Sequence, residues 1–337
     1  MNSLLKVGQS FQPLVSVIVT TYNYGEFIKQ CLNSVRSQDY PLDLIEIIVV
    51  DDGSTDNTSE VLSSFGDRIH AIHQENAGQA AAINRAMEIA KGQIIALLDA
   101  DDEWYPNKLS MVVSQFADEE VGMVHHPMNI LENGVVVRRQ LGQKLSSGWI
   151  GEAALNSQFN RNSTSALTFR REVLERMLPV PETLRTGGAD FYFAVLAAFS
   201  SKLAAIQQPL ALYRIHGANR FTDNLSTQSF REQLMSVEEV HKHAEAMALS
   251  LGLKLPKSFD AYLCAEYPMS CRISLAWNEH HYQEIPGLFW QYLWRYALVE
   301  YGFSLRFMER TLRMAAGSIL PPIAFAKLRS FRRKFVS

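Results

Sequence analysis

Cysteine is scarce: Cys31, Cys264 and Cys271 are the only three in 337 residues, and no two are spaced as CxxC. An odd count leaves one thiol over under any pairing. That excludes a disulfide framework and a zinc ribbon and fits a reducing, cytoplasmic setting. Charge of one sign is lacking too, since 32 Lys and Arg face 35 Asp and Glu for a formal net charge of −3. There is therefore no global electrostatic footprint for nucleic acid. No apolar run reaches the ~18 residues that a membrane-spanning helix needs. Met1 to Gln12 carries one lysine and no long apolar stretch, so a cleaved secretory leader is not expected. Internal repeats and low-complexity tracts are missing as well. What is present is the composition of a folded chain, 47% hydrophobic and 20% charged. The length suits one large α/β unit or a catalytic domain with an appendage.

Three β-branched or aliphatic runs of strand length stand out: Val15 to Thr20, Ile45 to Val50 and Gln93 to Leu98. They have the pattern of strands covered on both faces. Between them lie stretches of helical period, Glu26 to Gln38, Asn57 to Phe65 and Gln79 to Ala90, with a shorter strand expected over Arg68 to His73. Such alternation predicts a parallel sheet. Beyond Trp104-Tyr105-Pro106 a helix to Phe116, a strand over Val121 to His125 and a hairpin at Glu132-Asn133-Gly134 are expected. Ser163 to Phe169 then reads as a strand, Ala189 to Phe199 as a helix and Leu203 to Ile215 as one or two strands. From Asp223 the pattern is helical and aromatic, including Trp290 and Trp294.

Each strong strand ends in polar residues: Thr20-Thr21-Tyr22-Asn23, Asp51-Asp52-Gly53-Ser54 and Asp99-Ala100-Asp101-Asp102. Ligands of open α/β sheets bind outside the carboxyl ends of the strands, so these tips are expected to share one crevice. Two carboxylates spaced as DxD suit a hard divalent cation, Mg²⁺ or Mn²⁺, held together with substrate phosphates. Alone, such a motif also reads as a solvated turn capping the next helix. Capping accounts for Ser54, Asp56 and Asn57 but not for Asp51 beside Asp52, because adjacent carboxylates repel unless a cation or a donor compensates.

Taken together, Val15 to Asn23, Val49 to Asp56, Asn76-Ala77-Gly78 and Leu97 to Asp102 resemble the family 2 glycosyltransferases over about Leu14 to Phe221. The resemblance implies a GT-A fold, a Rossmann-like mixed α/β sheet flanked by helices, over residues 1–222. Residues 223–337 would then form a helical appendage for acceptor, membrane-surface or oligomer contacts. It further implies an inverting, hexosyltransferase-type enzyme that moves a sugar from a nucleotide-diphosphate sugar, a UDP-sugar in the first instance, to a hydroxyl of a glycan or lipid-linked acceptor, aided by Mn²⁺ or Mg²⁺. By position, Thr20, Tyr22 and Asp52 match nucleoside-binding residues, with Tyr22 stacked on the base and Asp52 bound to uracil. Asn76, Gly78 and Asp99 match further nucleotide-binding positions. Asp101 matches the metal carboxylate. His216, in Tyr213-Arg214-Ile215-His216-Gly217-Ala218-Asn219, is a candidate further ligand. Asp190, in Gly187-Gly188-Ala189-Asp190-Phe191, matches the general base, with a helix cap as its plainer role.

Two departures from the family pattern are expected to matter. The arginine often found in Asn-x-Gly-x-x-x-Ala-Arg-Asn is absent from Gly78-Gln79-Ala80-Ala81-Ala82-Ile83-Asn84, so phosphate neutralisation falls to the metal, a helix N-terminus or Arg85. Ala189 replaces the first acid of the Glu-Asp acceptor motif. These departures keep open a binding or scaffold protein that has lost catalysis. A nucleotidyltransferase is disfavoured, because Thr20 to Gly25 is not a glycine-rich, basic phosphate loop. Finally, Phe303 to Ser337 holds eight Arg or Lys against one acid, Glu309, among Ile323, Phe325, Leu328, Phe331 and Phe335. That is the pattern of a basic amphipathic helix able to lie on anionic lipid at the inner face of a membrane. It is also that of a solvated basic face, and the aromatics near Trp290 and Trp294 equally suit a homo-oligomer contact.

Overall fold

The β-branched runs become the strands at the heart of the larger sheet because their side chains are buried on both faces. In the computed structural model these are β1 (Val15–Thr21), β2 (Ile45–Asp51) and β4 (Ile94–Asp99), while β3 (His70–His73) is a largely exposed edge strand. They run parallel in the order β4-β1-β2-β3. Val17, Val19, Ile48, Val49, Ile94 and Ile95 are fully buried, each contributing about 1.5–3 kcal/mol of transfer free energy. The crossovers are α1 (Ile28–Arg36), α2 (Thr58–Ser63) and α3 (Gln79–Met87). α1 buries Ile28, Cys31, Leu32 and Val35, the stripe that helical spacing places on one face. The structure describes residues 11–137, 145–151, 163–185, 188–216, 226–252, 263, 266–297, 311–312, 314–315 and 318.

After β4 come β5 (Glu103–Trp104), α4 (Lys108–Gln115), β6 (Val121–His125), β7 (Met128–Glu132) and β8 (Val135–Val137). Asn133 and Gly134 both have positive φ, 50° and 76°, as a tight β7–β8 hairpin turn requires. β9 (Leu167–Arg170), α5 (Arg171–Glu175), β10 (Lys202–Ala205) and β11 (Ala211–Ile215) follow. The seven-stranded sheet has the order β10-β6-β9-β4-β1-β2-β3, and β5-β11-β7-β8 form a second, four-stranded one.

The alternating strands pair parallel as expected, and the sheet as a whole is mixed, as the resemblance implies, because β9 enters antiparallel between β4 and β6. A short strand buried on both faces carries the same apolar pattern in either direction, so its sense is invisible in sequence. The strand expected over Ser163 to Phe169 begins only at Leu167, because Thr164–Ala166 form a 3₁₀ turn that aims Ser165 at the tip of β4. The remaining boundaries shift by one to three residues, as helix and strand ends do.

The chain divides into two compact units, Met1–Ile150 with Asn160–Arg185 and Ser200–His216, and Gly151–Phe159 with Thr186–Phe199 and Gly217–Ser337. The break expected from sequence at 222/223 lies among residues 217–225, outside the described residues. The second unit contains α6 (Ala189–Ser200), α7 (Thr227–Ser250), α8 (Glu266–Asn278) and α9 (Ile285–Gln291), with a π turn at Tyr292–Ala297. Ser226 caps α7 by accepting the Ser229 N–H at 3.1 Å. Arg231–Glu279 and Arg272–Glu238 tie α7 to α8 and the turn after it. Met269, Ile273, Ala276, Ile285, Tyr292, Ala297 and Met314 form their own core cluster. Trp290 and Trp294 are 52% and 63% exposed, with near-parallel rings. The basic segment expected over Phe303 to Ser337 lies outside the described residues except at 311, 312, 314, 315 and 318. Among the described residues no helix is long and apolar enough to cross a membrane.

Candidate active site

Parallel pairing in register brings the polar strand tips together: Thr20 of β1 lies opposite Asp99 of β4, and Thr21 opposite Asp51 of β2. The loops beyond the tips are stapled to each other. Asn23, at φ 58°, accepts the Thr55 N–H at 2.7 Å and donates its own N–H to Ser54 Oγ at 2.8 Å. The Gly25 N–H reaches Asp56 Oδ2 at 2.9 Å. Tyr22, between these staples, stays 47% exposed at the rim.

The neighbouring carboxylates of Asp51, the last residue of β2, and Asp52, the first beyond it, find separate partners. Asp51 Oδ1 accepts the Ser54 N–H at 3.0 Å, and its Oδ2 lies 3.1 Å from His73 Nδ1. Asp52 is 4% exposed. Its Oδ1 accepts Gln74 Nε2 and the Ala77 N–H, both at 2.8 Å, and its Oδ2 accepts the Gly78 N–H at 2.8 Å. Asn76 Nδ2 donates to the Asp52 carbonyl at 3.0 Å. Three of the expected nucleotide residues, Asp52, Asn76 and Gly78, are thus linked through one loop between β3 and α3. The compensation that two adjacent acids require comes from the chain itself, through donors that the sequence pattern did not reveal.

At the tip of β4 the acids are more crowded. Asp99 Oδ1 accepts Gln79 Nε2 at 2.7 Å, and the same nitrogen approaches Thr20 Oγ1 at 3.5 Å. Asp102 is 1% exposed and takes Ser165 Oγ at 2.5 Å and the Arg214 N–H at 3.0 Å. Burial first, then the Asp101 and Asp99 charges, push its carboxyl well above the ordinary range. Asp101 Oδ2 lies 3.0 Å from His216 Nε2 across 115 residues of chain. Arg214 donates from Nε to the Asp101 carbonyl at 3.0 Å and pairs with Glu103. His216 packs on Phe27 at 4.7 Å between centroids and meets Tyr24 edge-on at 5.6 Å. Those two aromatics set the plane of the imidazole.

Among the described residues no group of three or more His, Cys, Asp or Glu side chains forms a metal cage. The Asp101–His216 pair nevertheless suits a divalent cation as a partial donor set. One carboxylate oxygen and one imidazole nitrogen converge among buried acids, leaving the other positions to substrate phosphates and water.

Arg85 does not face this cleft. It falls in the last turn of α3 and pairs with Glu88, roughly 9 Å along the helix from Gln79. Ile83, where the family carries arginine, is buried at 1% exposure. Asp190 belongs to the second unit, in the first turn of α6, where its Oδ1 accepts the Phe191 N–H at 2.7 Å. Ala189 beside it is buried. Gln74, Gln79, Ser165 and Glu103 are site residues that sequence reasoning missed. Gln79 adjoins a recognised motif, whereas Ser165 lies in a stretch with no signal of its own.

The glycosyl transferase family 2 model matches residues 16–178. An uncharacterized glycosyltransferase from Nostoc is 37% identical over 227 residues, 65% of this chain and 70% of the relative. Among solved structures, Staphylococcus aureus TarS 1-349 in complex with UDP superposes with a TM-score of 0.61 at 18% identity, over 90% of this chain and 88% of that one. The mannosyltransferase PcManGT from Pyrobaculum calidifontis, in complex with GDP-Man and Mn²⁺, gives 0.55 at 20% identity, over 97% and 86%. At such identities these structures speak to the GT-A fold alone, while the curated relative and the family model speak to the sequence. The chain belongs to glycosyl transferase family 2 and is a glycosyltransferase.

Proposed function

We propose that the protein transfers a sugar from a nucleotide-diphosphate sugar, a UDP-sugar in the first instance, to a hydroxyl of a glycan or glycolipid acceptor with inversion at the anomeric carbon. The observation that carries this reading is the Asp101–His216 pair at 3.0 Å, set beside Asp99 on the strand next to Thr20 and Tyr22. Tyr22 offers an exposed ring for the base, and the Asp52–Asn76–Gly78 loop forms the wall behind it. Thr20 and Asp99, bridged by Gln79, line the ribose side. Asp101 and His216 would hold a divalent metal, which when bound supplies positive charge for the departing diphosphate.

The reaction also needs a base, because an acceptor hydroxyl is a poor nucleophile until its proton is removed. Asp190, in the first turn of α6, takes that role in this proposal. Asp190→Asn is expected to leave donor affinity unchanged and to lower turnover by about 10²–10⁴-fold. Unchanged turnover in a coupled UDP-release assay removes Asp190 from the mechanism.

The buried Ile83 and Ala189, each standing where the family has a functional side chain, support one alternative: a nucleotide-sugar-binding protein that has lost catalysis. Metal-dependent hydrolysis of UDP-sugar without acceptor separates the two, because the alternative predicts binding with no turnover. Surface polysaccharide or glycolipid assembly, with peripheral attachment to a membrane or pairing with a second copy through the C-terminal unit, is the setting in which this chemistry fits. The exposed Trp290 and Trp294 support a contact surface there.

A further inference from the structure

The segment 180–185 is fastened to α3 through Asn84 and, through Arg185, to the loop that walls the nucleotide side of the cleft. Asn84 of α3 grips the backbone of Val180 in both directions, donating to its carbonyl at 3.0 Å and accepting its N–H at 2.8 Å. Leu184 is fully buried. The Arg185 carbonyl passes so close to Gly78 that a Cβ there would lie 2.2 Å from it, and Gly78 has φ +89°. From this fixed backbone Arg185 Nη2 donates to the Asn76 carbonyl at 3.1 Å and to Asn76 Oδ1 at 3.2 Å. Asn76 in turn is oriented by its donation to Asp52. The result is an exposed guanidinium in a defined place, with N–H groups still open to solvent and no acceptor of its own.

Its place in the sheet decides which part of a ligand it meets. Asn76 and Arg185 attach to Asp52 after β2, whereas Asp101, the partner of His216, follows β4, with β1 between. Two strand spacings separate the ends by roughly 10 Å. The guanidinium therefore stands at the end of the cleft away from the proposed metal pair, on the side of the base. At C4 of uracil and C6 of guanine the base carries a keto oxygen, an acceptor that Arg can satisfy, whereas cytosine and adenine carry at those positions an amino group that only donates.

We propose that Arg185 reads the nucleobase: it donates to the keto oxygen at C4 of uracil or C6 of guanine and restricts the donor substrate to uridine and guanosine nucleotides. This rests on the nucleotide-sugar reading above. It also means that a segment about a hundred residues further along the chain supplies a guanidinium to a nucleotide site whose own helix carries Ile83 in place of arginine.

Calorimetric titration of the full chain with UDP, CDP, GDP, ADP and uridine in the presence of Mn²⁺ tests the proposal. The unaltered protein is expected to favour UDP over CDP, and GDP over ADP, by tenfold or more. Arg185→Met should abolish that preference and weaken UDP and uridine by the same factor, about tenfold. Arg185→Lys, which keeps the charge without the fork, should recover part of it, and Arg185→Gln provides a second exposed, uncharged variant. Asp101→Asn should weaken UDP while leaving the UDP-to-CDP ratio intact. An unchanged ratio in Arg185→Met and Arg185→Gln, or no UDP-to-CDP preference in the unaltered protein, overturns the inference alone. A loss confined to UDP and absent for uridine overturns it in favour of a phosphate contact. Failure of the unaltered protein to bind any nucleotide overturns the nucleotide-sugar reading along with it.

Discussion

Two acidic tips of one sheet look alike in sequence and differ in their surroundings. At the end of β2, Asp51 and Asp52 receive Ser54, Gln74, Ala77 and Gly78 as donors and His73 as a neighbour. They are hydrogen-bonded from within the chain and organise the loop before α3. At the end of β4, Asp99, Asp101 and Asp102 crowd into four residues, and Asp102 is driven upward by burial and by its two acidic neighbours. There the chain offers Gln79, Ser165, Arg214 and His216, fitting partners for the acids singly but not enough to remove their mutual repulsion. A carboxylate surrounded by backbone N–H groups is structural cement. One that shares an imidazole among other acids is suited to an external cation.

Substitutions can break this contrast. The largest effect is expected for Asp101→Asn, which should lower sugar transfer by about two to four orders of magnitude, since metal charge stabilisation of a leaving group is worth several kcal/mol. The same change should abolish any rise in melting temperature produced by Mn²⁺ with UDP, and the free protein should melt no earlier. Asp52→Ala should do the reverse in stability, leaving the buried Gly78 N–H without its acceptor at about 1–3 kcal/mol. Denaturant unfolding reads this directly. If Asp52→Ala unfolds like the parent while Asp101→Asn collapses, the two tips have been assigned the wrong way round.

A smaller effect concerns acid stability. His126 is fully buried, and desolvation, aided by Lys108, lowers its pKa from 6.5 to about 3. In that interval the unfolded chain binds a proton that the folded one refuses. Stability due to this group is therefore complete above about pH 6.5 and lost as pH falls toward 3, by up to roughly 5 kcal/mol. His126→Asn should flatten the acid limb of a stability–pH curve, and an unaltered limb would show that His126 charges without unfolding. The smallest effect is at Arg85. Its exposed pair with Glu88 should cost at most ~0.5 kcal/mol on Arg85→Ala, with no change in transfer rate. A large loss of rate would return Arg85 to the phosphates.

Much of this was legible beforehand because local pattern and function coincide. The runs at Val15, Ile45 and Gln93 had to be buried strands, and polar residues at their carboxyl ends had to meet once the strands paired parallel. Asn133-Gly134 had to turn. What could not be read were pairings over long separations. Ser165 has no motif, yet its hydroxyl lies between the Asp99 N–H and Asp102. Arg185 stood in a poorly patterned stretch, yet it reaches Asn76. The direction of β9 was hidden for a related reason, since apolar alternation reports burial and not strand sense.

By itself the sequence determined which segments are buried, where helices and strands alternate, and which acids end the strands, because periodicity and side-chain chemistry are local properties. Only the tertiary structure decided which of those acids are supplied with hydrogen-bond donors and which are left crowded. Charge compensation depends on donors brought within about 3 Å, and the chain folds Gln74, Gly78, Ser165, Arg214 and His216 to that distance from places that no spacing rule connects.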